Sequence, residues 1–225
     1  MIRHVFLDID NTLLDFDQAE AVAIRKTFET LGLPIDEAGI ARYHQINIRQ
    51  WQRLDLGEIT REQVLYGRFE ILFRELGLTA SARQTEDTYR HYLGIGHFFV
   101  PGAPAALAYL KEKYSLYIAS NGMARTQYSR LDSAGISSCF QEIFISDTVG
   151  SHKPEQEYFD YCFSRIPGFL PDQAIIIGDN LHSDILGGLR AGIHTCWYNR
   201  KNLAPEPDIV PEYTITDWSQ IQTVL

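Results

Sequence analysis

Three times in this sequence a short apolar run ends abruptly in polar residues. Val5-Phe6-Leu7 leads into Asp8-Ile9-Asp10, Leu116-Tyr117-Ile118-Ala119 into Ser120-Asn121-Gly122, and Ala174-Ile175-Ile176-Ile177 into Gly178-Asp179. Apolar runs this short suit the buried strands of a parallel sheet. Ile143-Phe144-Ile145 and Thr195-Cys196-Trp197-Tyr198 have the same character, and helical stretches are expected between the runs at 103–113, 125–134, 155–166 and 183–191. Strands alternating with helices imply an α/β core whose parallel strands are joined by right-handed crossovers. In such sheets ligands collect outside the carboxyl ends of the strands. The polar clusters therefore stand where a site belongs.

One interval breaks the alternation. From Asp17 to Gly96 the chain reads as helical, with clear punctuation. Asp17-x-x-Glu20 and Thr60-x-x-Gln63 have the form of capping boxes, Asp36 suits a helix N-cap, and Gly32, Gly57 and Gly77 suit helix ends. A fourth helix fits between Ser81 and Gly94. Four antiparallel helices on short loops make a small bundle. The expected organisation is a core of residues 1–15 and 97–225, interrupted by a helical insert at 16–96.

Charge and composition exclude some partners. The formal net charge of −9 argues against a nucleic-acid polymer, which needs a basic surface. It leaves room for a small phosphorylated ligand held by a local cation. No apolar run approaches the length of a membrane span, and no signal peptide is read at the N-terminus. The three cysteines, Cys139, Cys162 and Cys196, are far apart and odd in number, as expected of reduced core thiols. The expected setting is the cytoplasm, and the expected state a monomer or homodimer.

The chemistry starts from Asp8 and Asp10. Two acids one residue apart in a strand lie on one side of the backbone, and repel unless a cation or a shared proton keeps them together. Ser120-Asn121-Gly122, between a strand and a helix, reads either as a helix cap or as a phosphate seat built from the Ser hydroxyl and two amides. In Lys153-Pro154, the proline suits the first position of a helix, which would set Lys153 just before a helix N-terminus. Asp179 offers oxygen to a hard cation, and Asp184 falls about one turn later.

In this order the clusters resemble the four motifs of the haloacid dehalogenase-like (HAD) phosphohydrolases. Asp8-Ile9-Asp10-Asn11-Thr12-Leu13 resembles motif I, Ser120 motif II, Lys153 motif III and Gly178-Asp179 with Asp184 motif IV. Asn11 stands where many members carry Gly, and Asn tolerates the left-handed backbone at low cost. The resemblance implies a Rossmann-like doubly wound core with a type 1 helical cap. It makes Asp8 the nucleophile and Asp10 the general acid/base. Lys153 neutralises charge, and Ser120, Asn121 and Gly122 bind phosphate. Mg²⁺, with Mn²⁺ as a substitute, is held by Asp8, the carbonyl of Asp10 and Asp179, and Asp184 supports Lys153 or a metal-bound water.

Within that superfamily, Tyr43-x-x-Ile46-Asn47-x-x-x-Trp51, Gly57-Glu58-Ile59-Thr60, Gly67-Arg68-Phe69-Glu70, Ser183-Asp184-Ile185-Leu186-Gly187-Gly188 and Thr195-Cys196-Trp197-Tyr198-Asn199 look like the bacterial pyrimidine nucleoside 5′-monophosphatases. That resemblance implies UMP, dUMP, dTMP and non-standard analogues as substrates. Trp51 would stack on a base while Asn47 and Arg68 bond its carbonyls. The alternative is a sugar-phosphate phosphatase or a phosphoglucomutase-like enzyme sharing the same four motifs.

Overall fold

A computed structural model describes residues 1–225, apart from the side chain of Asp55. The chain divides into two compact units, Met1–Asp15 with His97–Leu225, and Phe16–Gly96.

The first unit is built on six parallel strands: β1 (His4–Leu7), β2 (Ser115–Ser120), β3 (Glu142–Ile145), β4 (Ala174–Gly178), β5 (His194–Tyr198) and β6 (Tyr213–Ile215). Their order is β3-β2-β1-β4-β5-β6, every neighbouring pair parallel. The chain winds outward from β1 to one edge, returns to β4 and winds to the other. The switch point thus lies at the carboxyl ends of β1 and β4, beside the end of β2, where the crevice of a doubly wound sheet opens. Successive side chains along a strand face opposite ways. Val5 and Leu7 accordingly join the core layer of Ile118, Ile175, Ile177 and the helix α5 (Ala103–Lys113) through Leu107 and Leu110. Phe6 joins the opposite layer, with Tyr117, Ile176 and the helix α8 (Gln156–Ser164) through Tyr158 and Phe159. Two further helices cross between strands, α6 (Ala124–Ser133) and the short α7 (Ser146–Val149).

Three features depart from the sequence reading. Residues 181–185 form a π-helical turn and only Leu186–Arg190 is α-helical, as α9, in place of the single helix expected over 183–191. The Asn180 side chain accepts from the amides of both His182 and Ser183, which starts the wider turn. Pro154 does not open a helix: it follows a cis bond from Lys153 in a turn, and α8 begins at Gln156. The edge strand β6 is not among the expected elements. At three residues it is too short to show a period.

The second unit is four helices: α1 (Phe16–Thr30), α2 (Glu37–Asp55), α3 (Arg61–Leu76) and α4 (Ala82–Ile95). Asp36 accepts from the Gly39 amide at 2.8 Å, Thr60 and Gln63 form a reciprocal capping box, and Gly77 ends α3 in the left-handed region. Asp17-x-x-Glu20 is not a capping box. Helix α1 begins at Phe16, one residue earlier, and Glu20 turns inward to Nδ1 of His44 at 2.5 Å and Nδ2 of Asn47 at 2.6 Å. That contact opens a buried polar chain. The Arg68 guanidinium donates to Oδ1 of Asn47 at 2.7 Å and to Glu86 at 2.6 Å, between the rings of Tyr43, Phe69 and Tyr89. No helix among the described residues is long and apolar enough to cross a membrane.

Removing one partner of a buried ion pair leaves an uncompensated charge, at a cost of about 3–5 kcal/mol. Arg68→Met should therefore speed hydrogen exchange of the α3 and α4 amides by about a hundredfold or more, while the β1–β4 amides keep wild-type protection. Unchanged exchange in α3 and α4 would show that the pair does not hold the bundle.

Candidate active site

The site is built from the ends of three strands, β1, β2 and β4, and from the loop that carries Lys153. After β1, residues 11–14 fold back in a tight turn, with Asn11 at φ +59° in the left-handed region. Thr12 is thereby buried beneath Asp8 and donates its hydroxyl to Oδ2 of Asp8 at 3.1 Å. The same hydroxyl oxygen accepts the Asp179 amide at 3.1 Å, which ties the end of β4 to the end of β1. Nothing in the sequence reading gave Thr12 this role, although it lies inside the motif.

Lys153 reaches in from the loop before α8. Its ammonium donates to Oδ1 of Asp8 at 2.9 Å, to Oδ1 of Asp184 at 2.5 Å and to the carbonyl of Ala119 at 2.5 Å. An ammonium has three protons, and three oxygens receive them. Asn121 holds the loop in place. Its side chain accepts the Lys153 amide at 2.9 Å and donates to the Lys153 carbonyl at 2.8 Å. Gly178 is required by close approach, because a Cβ there would lie 2.2 Å from Oδ2 of Asp184. That oxygen instead accepts the Asn180 amide at 3.1 Å.

The two acids of the first cluster are not kept together by one cation. Asp8 faces Lys153, whereas Asp10 faces α6. Oδ1 of Asp10 pairs with Arg130, and Oδ2 accepts from Nε2 of Gln127 at 2.7 Å. Gln127 and Arg130 went unnoticed in the sequence. The available signal was their spacing, since residues three apart share one helix face. Ser120 is buried at the end of β2, where its Oγ accepts the Gly122 amide at 3.2 Å and a proton of Gln127 Nε2 at 3.0 Å.

Three carboxylates crowd together: Asp8, Asp179 and Asp184 each offer an oxygen, all within 4.8 Å of one another. Burial raises Asp8 from 3.8 to about 7, with Asp184 and Asp10 adding to the rise and Lys153 opposing it. Burial, then Asp8, Asp184 and Asp10, push Asp179 well above the usual carboxylate range. Burial pulls Lys153 down, but Asp184 and Asp8 outweigh it, so the ammonium stays charged. The possible ligands at this point are carboxylate oxygens, and Asp184 and Asp10 add to the rise of both Asp8 and Asp179. Those are the properties of a seat for a hard divalent cation.

The residues expected to contact a base all lie in the helical unit. Asn47 and Arg68 are buried in the helical unit, with Asn47 bonded to Glu20 and Arg68, and Arg68 to Asn47 and Glu86. The polar groups expected to read a base are thus engaged inside the bundle. Trp51, on α2, is half-buried.

Comparison with known proteins decides the family. Residues 2–192 match the model of the haloacid dehalogenase-like hydrolases. The chain belongs to that family. It is a hydrolase. It is 39% identical over 223 residues to the putative HAD-hydrolase YfnB of Bacillus subtilis, covering 99% of this chain and 95% of YfnB. The crystal structure of YfnB, described as bound to magnesium, superposes with a TM-score of 0.96 over 100% of this chain and 98% of that one. The pyrimidine 5′-nucleotidase PynA of Streptococcus pneumoniae is 32% identical, over 97% of this chain and 93% of PynA. The pyrimidine 5′-nucleotidase YjjG of Escherichia coli is 27% identical, over 98% of this chain and 96% of YjjG.

Uptake of a divalent cation by these carboxylates requires their deprotonation. Its apparent affinity should fall by about tenfold per pH unit for each proton displaced as the pH drops below about 7. Calorimetric titration of the metal-free protein with Mg²⁺, from pH 5.5 to 8.5, checks this, and a flat affinity would contradict it. Because the folded pKa of Asp8 is raised, the metal-free fold binds a proton more tightly than the unfolded chain does. Its contribution to stability is present at low pH and lost as the pH rises through about 7.

Proposed function

We propose that the protein is a Mg²⁺-dependent phosphomonoesterase, with Mn²⁺ as a substitute ion, acting on pyrimidine nucleoside 5′-monophosphates through an aspartyl-phosphate. The observation that carries the phosphatase reading is the Lys153 ammonium bonded at once to Asp8 and Asp184. That arrangement sets a carboxylate at a switch point with fixed positive charge behind it, as a displacement at phosphorus requires.

In this reading Asp8 attacks phosphorus, and the bond to the ester oxygen breaks. Asp10 gives the departing oxygen its proton. Water then attacks the same phosphorus, Asp10 takes its proton, and the bond from Asp8 to phosphorus breaks. Lys153 and Ser120 hold the phosphoryl oxygens in line. A Mg²⁺ bound by Asp8, Asp179 and the carbonyl of Asp10 supplies the positive charge that lets anions gather.

The substrate reading rests on the similarity to PynA and YjjG and on the make-up of residues 16–96, the proposed cap. In this reading the residues at the three strand ends and Lys153 contact only phosphate, so discrimination falls to the cap. Trp51 is the proposed stacking partner for the base, and base–aromatic stacking is worth about 1–3 kcal/mol. Asn47 and Arg68 shape the cap from within.

Two outcomes follow. Asp8→Asn should lower kcat by about a thousandfold or more with the fold intact, because an amide is no nucleophile here. Near-wild-type turnover would remove Asp8 from the role. Comparison of kcat/KM for UMP, dUMP and dTMP with that for AMP, GMP and glucose 6-phosphate should favour the pyrimidines by about tenfold or more, with loss of activity in EDTA. A hexose phosphate winning by that margin would leave a phosphatase of sugar phosphates instead.

A further inference from the structure

We propose that Gln127 and Arg130 of α6 are positioning residues that hold the Asp10 carboxylate in register with Ser120 for proton transfer to the leaving group. The inference rests on the proposed role of Asp10 as the acid/base.

Arg130 carries a permanent charge and is fully buried. Burying an ion costs several kcal/mol unless it is paired, and it pairs with Oδ1 of Asp10. Gln127 is also buried, and its amide is used at both ends. Nε2 donates to Oδ2 of Asp10 at 2.7 Å and to Oγ of Ser120 at 3.0 Å, while Oε1 accepts from Nη1 of Arg130 at 3.0 Å. Two acceptors on one side and a charged donor on the other fix which way the amide faces. Each oxygen of Asp10 therefore has its own donor, and both donors come from one face of one helix. A single contact would let the carboxylate rotate; two set its plane. The Asp10 side chain remains 32% exposed, which leaves it an open side toward a substrate.

Gly122 supports the same arrangement. A Cβ there would lie 2.5 Å from Nε2 of Gln127, so the amide bridge requires glycine after Ser120-Asn121. Ser120 is the proposed phosphate seat and Asp10 the proposed proton donor. Gln127 touches both. Helix α6 thus ties the two together through one side chain.

The step at stake is departure of the ester oxygen: its bond to phosphorus breaks, and it takes a proton from Asp10. An alkoxide needs that proton, whereas p-nitrophenolate leaves without it. The test is kcat/KM on UMP and glucose 6-phosphate, as alkyl esters, and on p-nitrophenyl phosphate, with Mg²⁺. Arg130→Met and Gln127→Met should each lose about tenfold to a hundredfold more on the alkyl esters than on the aryl ester. Arg130→Lys, which keeps the charge without the planar fork, should fall between wild type and Arg130→Met. Gln127→Met removes no charge, so it tests the proposal even if Arg130→Met fails to fold. Equal losses on both ester types, or no loss on either, would overturn it. Asp10→Asn in the same assay separates the two readings. If it is selective against alkyl esters while the α6 variants are not, the positioning role alone falls. If it spares alkyl esters, the acid/base reading falls and the positioning role falls with it.

Discussion

The Lys153 ammonium is the contact on which the ends of the strands depend. It is buried, and it meets Asp8 after β1, the Ala119 carbonyl in β2 and Asp184 after β4. Moving such an ion out of water costs several kcal/mol, so the loop that carries it must be held firmly. Asn121 does this through two hydrogen bonds to the Lys153 backbone, and the Asn180 amide fixes the far oxygen of Asp184. Without the ammonium, Asp8 and Asp184 would be two crowded carboxylates with no cation between them. With it, one oxygen of Asp8 is taken by Lys153 and the other by Thr12.

A second cation serves the second acid. Asp8 and Asp10 stand one residue apart, yet the turn at residues 11–14 sends them to different partners, Lys153 and Arg130. Separate cations allow separate jobs. Asp8 is held close to the other carboxylates of the cluster, while Asp10 is aligned beside Ser120. The helical unit shows the same physics without an evident reaction. Glu20, Asn47, Arg68 and Glu86 are joined in a chain of short bonds, with Nε of Arg68 left buried and without a partner. In a low-dielectric interior the bonds that are made are strengthened and the donor left over is costly.

What could be read from the sequence was local. Strand ends, helix caps such as Asp36 and Thr60, and the left-handed turn at Asn11 are each set by a few neighbouring residues, and these appear as expected. Contacts that depend on tertiary partners did not show. Gln127 and Arg130 look like an ordinary polar face of α6 until Asp10 is placed opposite them. Asn47 and Arg68 have the donors to read a base, and only the positions of Glu20 and Glu86 show that those donors are engaged inside the bundle. The π-helical turn at residues 181–185 follows from Asn180 capping two amides, while Asp184 lies against Lys153.

The most direct test asks where the phosphoryl group goes. Mixing the Mg²⁺-loaded protein with UMP, quenching in acid within one turnover and mapping peptides by mass spectrometry should find a hydroxylamine-labile phosphoryl group on Asp8. It should accumulate further in Asp10→Asn when p-nitrophenyl phosphate is the donor, because the water that removes it then lacks its base. A phosphoryl group on another residue, or rapid turnover with none on Asp8 in either protein, would contradict the role of Asp8 as nucleophile and leave its contact with Lys153 a purely structural one.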